Sequence, residues 1–520
     1  MKITFINFGR ENLGIEYLSA ILKNAGFETA LLNDPGLFTK EDNVFCSRLL
    51  EKIFSRKKRI IEEIVQTKPD LAAFSVYTSN YIWACEVARE IKKRLDTKIV
   101  FGGVHPTLVP QEVIKQETVD FVIRGEGEAA FLVLVRALKD NARLENVPSL
   151  FYKKNGRIIE NKLSPPLENL DALPLPDKEL FARDVCFRDD YMITTSRGCF
   201  YNCSYCCESF YNKLYKNQYF RRRSVDSVMK ELTVMKEKYN FQEVMFFDSI
   251  LFTDKKWLKG LVKRFRREID VPFRCTGHVR FLDEEIARLL KDGGCYCIDF
   301  GIQTFSERVR REILNRHETN FHIQEALDIC DRFKLKYDLD LMFGLPEVQE
   351  EDYLLAVKFL QRNKYLSRIK CYNLVYYPKL LILDKAKELG LLSPDDAADI
   401  ENGRINDWFR QDIIKDPKHK LWKDNFQRLY KLYPLIPHFA RRFIIKYKLY
   451  RQFRLIPGFL IVFMQLVNGI LKGDYRFSIY IRNYFYHFKK RLFENRKIHK
   501  IILVTENTKA IQKTITNDKK

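Results

Sequence analysis

The sequence predicts an α/β protein with two successive parallel-sheet units and a mostly helical C-terminal region. Short apolar runs alternate with helical stretches over residues 1–145, and the alternation restarts near Tyr191 after a proline-rich connector. Beyond about residue 400 the alternation stops. Repeated strand–helix–strand order is typical of parallel sheets covered by helices. We therefore predict one unit over residues 1–145, a linker over 146–190, a second unit over 191–400 and a basic, aromatic helical region over 401–520.

The first unit is predicted to be a doubly wound parallel sheet. "KITFINFG" is followed by "GIEYLSAILKNAG", whose apolar positions recur every three or four residues and stop at Gly26. "DLAAFSVY", "KIVFGG" and "VDFVIRGEGE" continue the pattern. Ligands of such sheets bind at the carboxyl ends of the strands. The residues predicted at those ends are Gly9, Gly14, Ser75, Thr78, Gly102, Gly103, Gly125 and Gly127.

The second unit is predicted to be a (β/α) barrel or partial barrel. It follows the connector "SPPLENLDALPLPD" and contains six strand-like runs with helices between them. The runs are "YMITTSRGC", "EVMFFDS", "FRCTGH", "CYCIDFGIQT", "YDLDLMFGLPE" and "IKCYNLVYYP". In barrels of this kind the polar residues at the strand ends line the active face.

Twelve cysteines without a recognisable secretory signal indicate a reducing compartment, and we expect a cytoplasmic protein. A disulfide framework is therefore a poor explanation of the stretch "SRGCFYNCSYCCE", residues 196–208. Thiols in such a compartment serve metals or catalysis, or lie inertly in cores.

Cys199, Cys203 and Cys206 form a C-x3-C-x2-C motif directly after the first strand of the second unit. Three thiolates on one loop can hold three irons of a 4Fe-4S cluster and leave the fourth iron with an open coordination position. A structural zinc site needs a fourth nearby ligand. Cys207 adjoins Cys206, and no histidine occurs from residue 106 to residue 277. The cluster is the favoured interpretation, and zinc or inert core thiols are the alternatives.

"CFYNCSYC" resembles the signature of radical S-adenosylmethionine (SAM) enzymes. "LGIEYLSAILKNAG", "FGGVHPTLVPQE" and "DFVIRGEGE" resemble the cobalamin-binding domain that precedes the barrel in one large branch of that superfamily. That branch includes the anaerobic magnesium-protoporphyrin ester cyclase. "FGIQTFSERV" and "MFGLPEVQEED" also resemble its barrel, so the resemblance covers residues 1 to about 400.

The resemblance implies a set of SAM-binding residues. The open iron would chelate the amino and carboxylate groups of SAM, and Tyr205 would lie near the adenine. Asp248 would meet the amino group, and Gln303 would face the ribose. Gly344 and Glu347 would pack near the adenine. For each residue alone, turn chemistry or a solvated cap is the alternative.

The resemblance also implies a cobalamin site with an altered first loop. In the cobalamin domains of methyltransferases and mutases this loop reads D-x-H-x-x-G and its histidine ligates cobalt, a histidine that many radical SAM relatives lack. Here "GRENLG" has Gly9 and Glu11 in place of the acid and the histidine. We therefore expect cobalt with water or no strong ligand on its lower face. His105 is either a cobalt ligand or a packed loop residue before Pro106. The predicted site comprises Glu11, Gly14, Ser75, Thr78, Gly102, Gly103, His105, Gly125, Glu126 and Gly127.

The C-terminal region concentrates the positive charge of the chain. Residues 431–520 contain 20 Lys and Arg against 4 Asp and Glu, within a net charge of +22 for the whole chain. Interleaved aromatic and basic residues indicate peripheral contact with an anionic membrane at its inner face, a helical cap packed on the barrel or, third, single-stranded nucleic acid. The apolar run from Leu455 to Leu471 is shorter than the roughly 20 residues of a membrane span.

The resemblance implies an enzyme that cleaves SAM reductively and abstracts hydrogen from an unactivated carbon. With cobalamin, methylation of that carbon is the leading interpretation, and ring closure or another rearrangement is the runner-up. The alternatives are a radical SAM enzyme without cobalamin and a membrane-associated iron–sulfur protein for electron transfer or sensing. We expect a small-molecule or lipid-like substrate, a reductant such as flavodoxin or ferredoxin, and no nucleic-acid partner.

Overall fold

The computed structural model describes residues 1–39, 46–402, 416–471, 474, 476, 479 and 481–490. Its first sheet has seven strands in the order β2-β1-β3-β4-β5-β6-β7, and β1 to β5 run parallel. This confirms the predicted parallel sheet. The strands are β1 Lys2–Phe8, β2 Glu28–Asp34, β3 Leu71–Ser75, β4 Lys98–Gly102, β5 Phe121–Ile123, β6 Leu150–Lys154 and β7 Arg157–Glu160.

Seven helices belong to this unit. The first begins where the Asn12 side chain accepts a hydrogen bond from Ile15 N, and the chain after it turns at Gly26 with φ +81°. Its buried face packs on the sheet through Ile15 and Leu22. The helices are α1 Leu13–Asn24, α2 Arg48–Phe54, α3 Lys57–Thr67, α4 Tyr81–Lys92, α5 Val104–Leu108, α6 Pro110–Ile114 and α7 Glu128–Lys139.

The segment predicted as a linker over 146–190 contributes structure to the first sheet. Strands β6 and β7 form an antiparallel hairpin that pairs with β5. The turn between them is Asn155-Gly156, with φ +53° and +74°. Both values are positive, as the tight turns of two-residue hairpins require. The boundary of the first unit therefore lies beyond residue 145.

The second sheet has six parallel strands in the order β15-β14-β13-β12-β11-β8, as expected for a partial barrel. All six runs recognised in the sequence are strands. A short antiparallel pair, β9 Ser196–Arg197 and β10 Arg221–Arg222, follows the first of them. The six strands are β8 Tyr191–Ile193, β11 Val244–Phe246, β12 Phe273–Gly277, β13 Cys295–Gln303, β14 Lys336–Phe343 and β15 Leu366–Asn373.

Helices connect these strands and form the C-terminal region, where residues 481–490 are also helical. Residues 403–415 and 491–520 of the predicted helical region lie outside the described residues. Within the described chain, no single helix has the length and apolar composition of a membrane span. The helices Leu449–Leu455 and Gly458–Ile470 reach that length and composition only when taken together, and the chain bends by 104° between them. The helices are α8 Cys207–Leu214, α9 Val225–Tyr239, α10 Lys255–Glu268, α11 Glu284–Asp292, α12 Glu307–Glu312, α13 Asn320–Arg332, α14 Glu350–Phe359, α15 Leu381–Glu388, α16 Pro394–Glu401, α17 Pro417–Leu432, α18 His438–Lys446 and α19 Gly458–Leu471.

Candidate functional site

A cavity of about 450 Å³ lies where the carboxyl ends of the first sheet face the start of the second; we call it the interdomain cavity. One wall is made by the loops that follow β1, β3, β4 and β5. The opposite wall is made by the segment from Met192 to Gly198, which leads into the cysteine loop, and by Phe247 and Ser249 after β11. Strands β1 and β3 are neighbours at the switch point of the doubly wound sheet, where ligands of such folds bind. A ligand in this cavity would contact both units.

Most of the predicted cobalamin residues line the interdomain cavity. A Cβ at Gly102 would meet no atom within 4 Å, so the bare backbone leaves space for a bulky ligand. Gly103 has φ +103°, and a Cβ there would come within 2.9 Å of Val76 O, so the position requires glycine. The predicted residues in the lining are Glu11, Gly14, Ser75, Gly102, Gly103, Gly125, Glu126 and Gly127.

Thr78 and His105 lie in the interior of the first unit and outside this lining. Thr78 Oγ1 and His105 Nδ1 are 3.0 Å apart, and the imidazole packs on Tyr81 with 4.2 Å between ring centroids. Burial lowers the pKa of His105 to about 3, so its imidazole is neutral. Among the described residues, no histidine lines the cavity. The structure favours the packed-loop interpretation of His105.

Glu11, which stands where the cobalamin domains of methyltransferases and mutases have a histidine, is neutralised by a buried lysine. Its carboxylate pairs with Lys178 Nζ, which also lies 3.0 Å from Glu16 Oε2 and donates to Met192 O at 2.9 Å. The Lys178 side chain is fully buried and its ammonium lies 4.7 Å from the Tyr191 ring centroid. Lys178 therefore ties the first loop to the second unit, and Glu11 has a counterion already. Nothing in the sequence near Glu11 indicated this partner, 167 residues away.

The cysteine loop is held by hydrogen bonds that its backbone makes with α8 and with residues 314 and 315. Asn212 Nδ2 donates to Cys199 O at 2.9 Å, and Asn315 Nδ2 donates to Asn202 O at 2.8 Å. Ser204 donates through its backbone N to Leu314 O at 3.0 Å. These bonds fix the loop before any metal binds, as a preorganised ligand set requires.

The three motif cysteines are reduced thiols with raised pKa values. Burial raises the pKa of Cys199 to about 11 and raises that of Cys203. The adjacent Cys207 thiol and burial both raise the pKa of Cys206. Cys206 also caps the N-terminus of α8, where the helix dipole stabilises a negative charge. Cluster iron deprotonates such thiols on binding, so this donor set fits a 4Fe-4S cluster.

A buried cation stands beside the cysteine loop, and the sequence analysis missed it. Arg316 Nη1 lies 3.7 Å from Cys203 Sγ and 3.3 Å from Tyr205 Oη. Arg316 pairs with Glu318, whose other oxygen lies 3.7 Å from His278 Nε2. Burial alone would raise the pKa of Glu318, but these two partners lower it to about 2. The charge of Arg316 would stabilise an anionic cluster, and no local motif signals a contact that spans 113 residues.

Asp248, predicted to meet the amino group of SAM, has one unsatisfied carboxylate oxygen. Oδ1 accepts hydrogen bonds from Thr195 N at 2.9 Å and from the Thr195 and Ser196 hydroxyls. Oδ2 is buried and has no hydrogen-bond partner within the described chain. Asp248 is buried beside the interdomain cavity: its chain neighbours Phe247 and Ser249 line the cavity, and Asp248 itself does not. Burial raises the pKa of Asp248 because it disfavours the charged carboxylate. A bound ammonium group would stabilise that carboxylate.

The other predicted SAM residues lie outside the lining of the interdomain cavity. Gln303 ends β13 with φ +68°, and Gly344 and Glu347 follow β14 with positive φ. The Glu347 side chain is 44% exposed and pairs with Arg308 at 3.4 Å. Tyr205 is half-buried, and its hydroxyl lies 3.3 Å from Arg316 Nη1.

Glu126, in the "GEGE" turn, connects the two units. Its carboxylate accepts two hydrogen bonds from the Arg221 guanidinium, at 2.7 and 3.0 Å, and one from Leu167 N at 2.8 Å. Arg197, two residues before the first cysteine, lies 3.5 Å from Glu126 and 2.6 Å from Glu128. Burial alone would raise the pKa of Glu126, but these arginines lower it below 4.5. The turn thus docks the first unit on the cysteine loop.

Another buried group, Cys297, Asp299 and Asp338, has donor atoms close enough together for a metal ion. Its negative charge is already compensated, because Asp338 pairs with Arg368 at 2.8 Å and with Arg476, and Asp299 pairs with Lys370 at 3.0 Å. Arg476 also lies 3.4 Å from Cys297 Sγ. Three cations at this distance oppose a metal ion, and we assign none.

Two family models match the chain. The B12-binding domain model matches residues 8–135, and the radical SAM superfamily model matches residues 193–360. The chain thus combines a B12-binding domain with a radical SAM domain. The resemblance drawn from the cysteine motif and the N-terminal glycines is confirmed, and the cofactors are a 4Fe-4S cluster, SAM and cobalamin. A radical SAM enzyme acts on a substrate and draws electrons from a reductant.

Among curated relatives, an uncharacterized methyltransferase of Pyrococcus horikoshii is 29% identical over 59% of this chain and 67% of its own length. Cytidylyl-2-hydroxyethylphosphonate methyltransferase of Streptomyces wedmorensis is 23% identical over 58% of this chain and 63% of its own length. The chain thus spans about two thirds of these relatives.

A solved structure of the cobalamin-dependent SAM radical enzyme OxsB, with aqua-cobalamin bound, superposes with a TM-score of 0.63. It is 16% identical, and the match covers 93% of this chain and 75% of that one. This similarity shows a shared fold over nearly the whole chain.

Proposed function

We propose that the protein methylates an unactivated carbon, with SAM as the source of both the radical and the methyl group. The observation that carries this proposal is the interdomain cavity, whose walls join the glycine-rich strand ends of the B12-binding domain to the start of the cysteine loop. When bound, the cluster supplies one-electron cleavage of SAM and cobalamin supplies methyl transfer. Ring closure or another rearrangement is the second candidate.

The residues of the chain would position these groups. Cys199, Cys203 and Cys206 would hold the cluster, and Arg316 beside Cys203 would stabilise its charge. Asp248 would receive the SAM ammonium on its unpartnered Oδ2. Gly102 and Gly103 would let cobalamin approach the sheet, with Ser75 beside them. Cobalt would receive no histidine from the described chain and no carboxylate from Glu11, which Lys178 neutralises.

The proposed reaction consumes two molecules of SAM and two electrons. One SAM gives up its methyl group as a cation and leaves as S-adenosylhomocysteine, and a second SAM is cleaved to methionine and 5′-deoxyadenosine. Joining a methyl cation to a substrate radical consumes one electron, and cleaving the second SAM consumes another. A low-potential reductant such as flavodoxin or ferredoxin would supply both.

The test is anaerobic reconstitution with iron, sulfide and hydroxocobalamin, followed by reduction with dithionite in the presence of SAM. We expect the protein to release both S-adenosylhomocysteine and 5′-deoxyadenosine, measured by mass spectrometry. Release of 5′-deoxyadenosine alone would favour a radical SAM enzyme without methyl transfer. Release of neither would favour the electron-transfer or sensor interpretation.

We also propose that the C-terminal region contacts an anionic membrane surface. Between Asp424 and Asp474 the chain has no acidic residue. This segment exposes large apolar side chains, with Phe439, Leu455 and Phe459 each 70% exposed. Exposed basic residues lie among them, which complements a negatively charged bilayer. They are Arg442, Lys446, Lys448, Arg451 and Arg454.

A further inference from the structure

A second cavity of about 1210 Å³ fills the interior of the partial barrel; we call it the barrel cavity. It exceeds the roughly 300–1,000 Å³ of most small-ligand pockets. Inward-facing side chains of β11 to β15 form one side, and the C-terminal region covers the other. Phe247 lines both this cavity and the interdomain cavity. The two cavities are therefore adjacent, with the Phe247 side chain between them.

One part of the barrel cavity is charged. Lys370 Nζ on β15 lies 3.0 Å from Asp299 Oδ2 and 3.5 Å from Asp340 Oδ1. Both carboxylates line the cavity from the neighbouring strands β13 and β14. Because all three residues lie in mid-strand on parallel neighbours, their positions are fixed by the sheet register.

This charged group has an excess of hydrogen-bond acceptors. Asp299 Oδ1 is buried and has no hydrogen-bond partner within the described residues. The Asp340 side chain is 27% exposed, and burial raises its pKa to about 6. Lys370 also lies 3.7 Å from Asp338, which pairs with Arg368 and Arg476 as well, so the charges of the group balance and what is unsatisfied is a hydrogen-bond acceptor. A bound group that donates hydrogen bonds would satisfy Asp299, because an unpartnered buried acceptor is costly.

The part of the barrel cavity lined by α19 is mostly apolar, whereas α17 contributes the polar side chains of Asp424, Gln427, Arg428 and Lys431. Phe459, Ile461, Val462 and Leu466 of α19 line the cavity. The other face of α19 is exposed at Leu460, Phe463, Met464, Val467 and Ile470. One helix thus presents one apolar face to the cavity and another to the surroundings.

The mouth of the barrel cavity opens beside that exposed face. Phe459 lines the cavity and is also 70% exposed. Phe38 from the first unit and Tyr484 from the C-terminal region stack at 5.1 Å between ring centroids and line the cavity as well. An apolar chain can therefore lie along the apolar residues that α19 contributes to the lining.

We propose that the substrate is an amphipathic lipid whose headgroup donates hydrogen bonds, through hydroxyl or ammonium groups. Its headgroup binds Asp299 and Asp340, and its apolar chain lies along the inner face of α19. This inference rests on the proposed function, since it names the substrate class of the same site. The residues proposed to recognise the lipid differ from those proposed to hold the cofactors.

The test uses the reconstituted holoenzyme and four probes with the same apolar chain: 1-dodecylglycerol, dodecylamine, dodecanoate and dodecane. Each is added without reductant, and the amount retained after gel filtration is measured by mass spectrometry. We expect retention of 1-dodecylglycerol or dodecylamine over dodecanoate and dodecane. The first two probes distinguish a hydroxyl headgroup from an ammonium headgroup.

Paired variants test which residues bind the headgroup of the probe and which bind its apolar chain. Asp299→Asn should weaken binding of the retained probe about tenfold, because it removes a charged acceptor. Asp399→Asn on the exposed surface of α16 should leave it unchanged. Leu466→Gln on the inner face of α19 should weaken binding, whereas Val467→Gln on the outer face should not. Thermal unfolding of each variant verifies that it is folded.

Preferential retention of dodecanoate, equal retention of all four probes, or retention of none would overturn the proposal. So would a folded Asp299→Asn variant that binds like the wild type. Binding needs no turnover, so the outcome is separable from the proposed function. Cleavage of SAM without retention of any probe would contradict this inference alone, and retention without SAM cleavage would contradict the proposed function alone.

Discussion

The interdomain cavity and the barrel cavity take their walls from different parts of the fold. The first is built from loops at strand ends, with bare glycines and ion pairs such as Glu126 to Arg221. The second is built from mid-strand charges and from a helix that follows the barrel in sequence. The strand-end loops of the first cavity and strands β11 to β14 of the second lie within the ranges that the family models match, whereas β15, α17 and α19 lie outside them. The barrel cavity therefore takes part of its wall from outside the matched ranges.

The largest expected effect is loss of the iron–sulfur cluster when a motif cysteine is replaced. Cys203→Ala should abolish or severely deplete the brown cluster chromophore, because each motif cysteine supplies one thiolate. Cys207→Ala should retain it. Iron and sulfide analysis of both variants measures this. A cluster-free Cys207→Ala protein together with a fully loaded Cys203→Ala protein would refute the ligand assignment.

Asp248→Asn tests whether the interdomain cavity also contains the SAM site. We expect the cluster to load normally and the rate of 5′-deoxyadenosine release to fall about a hundredfold, since the ammonium loses a buried charged partner. Asp226→Asn, whose side chain is 92% exposed on α9, is the control. An unchanged rate in Asp248→Asn would place the SAM ammonium elsewhere.

Glu126→Ala tests the connection between the two units. Removing one partner of a buried ion pair should lower the free energy of unfolding by about 3 kcal/mol. The pKa of Glu126 is lowered below 4.5, so the stability from this pair is present above about pH 4.5 and is lost as the pH falls further. The difference in the free energy of unfolding between wild type and variant should therefore become smaller at acidic pH.

Denaturant unfolding at neutral and acidic pH measures this effect. Glu63→Ala, in an ion pair with Arg59 at the surface, should leave the unfolding midpoint unchanged. A destabilisation by Glu126→Ala that is equal at both pH values would show that the charge of Glu126 is not what matters.

The smallest expected effect concerns the outer face of α19. Phe463→Asp should reduce co-sedimentation with anionic liposomes several-fold, because it places a negative charge on the apolar surface. Phe321→Asp, 72% exposed on α13 of the barrel, should not. High salt should release the wild type, since screening weakens attraction to the bilayer. Equal sedimentation of all three proteins would favour a cap packed on the barrel over membrane contact.

The sequence predicted the features that are encoded locally. The cysteine spacing, the glycines at strand ends and the six barrel strands all follow from short patterns. The hairpin β6–β7 was missed although its Asn155-Gly156 turn is a strong local signal. Lys178, Arg316 and Lys370 were not predictable, because each finds its partner through the register of distant segments. The pairing of these charged side chains depends on contacts across the fold, which no sequence motif encodes.

The visible and paramagnetic spectra of the reduced, cobalamin-loaded protein test the interdomain cavity most directly. Hydroxocobalamin is added during reconstitution, the excess is removed by desalting, and the cobalt signal is recorded after reduction. We predict one retained cobalamin per chain and no nitrogen splitting from an axial base, because no histidine lines the cavity within the described residues and Lys178 neutralises Glu11. Loss of all cobalamin on desalting while SAM cleavage persists, or a nitrogen-split cobalt signal, would contradict the assignment.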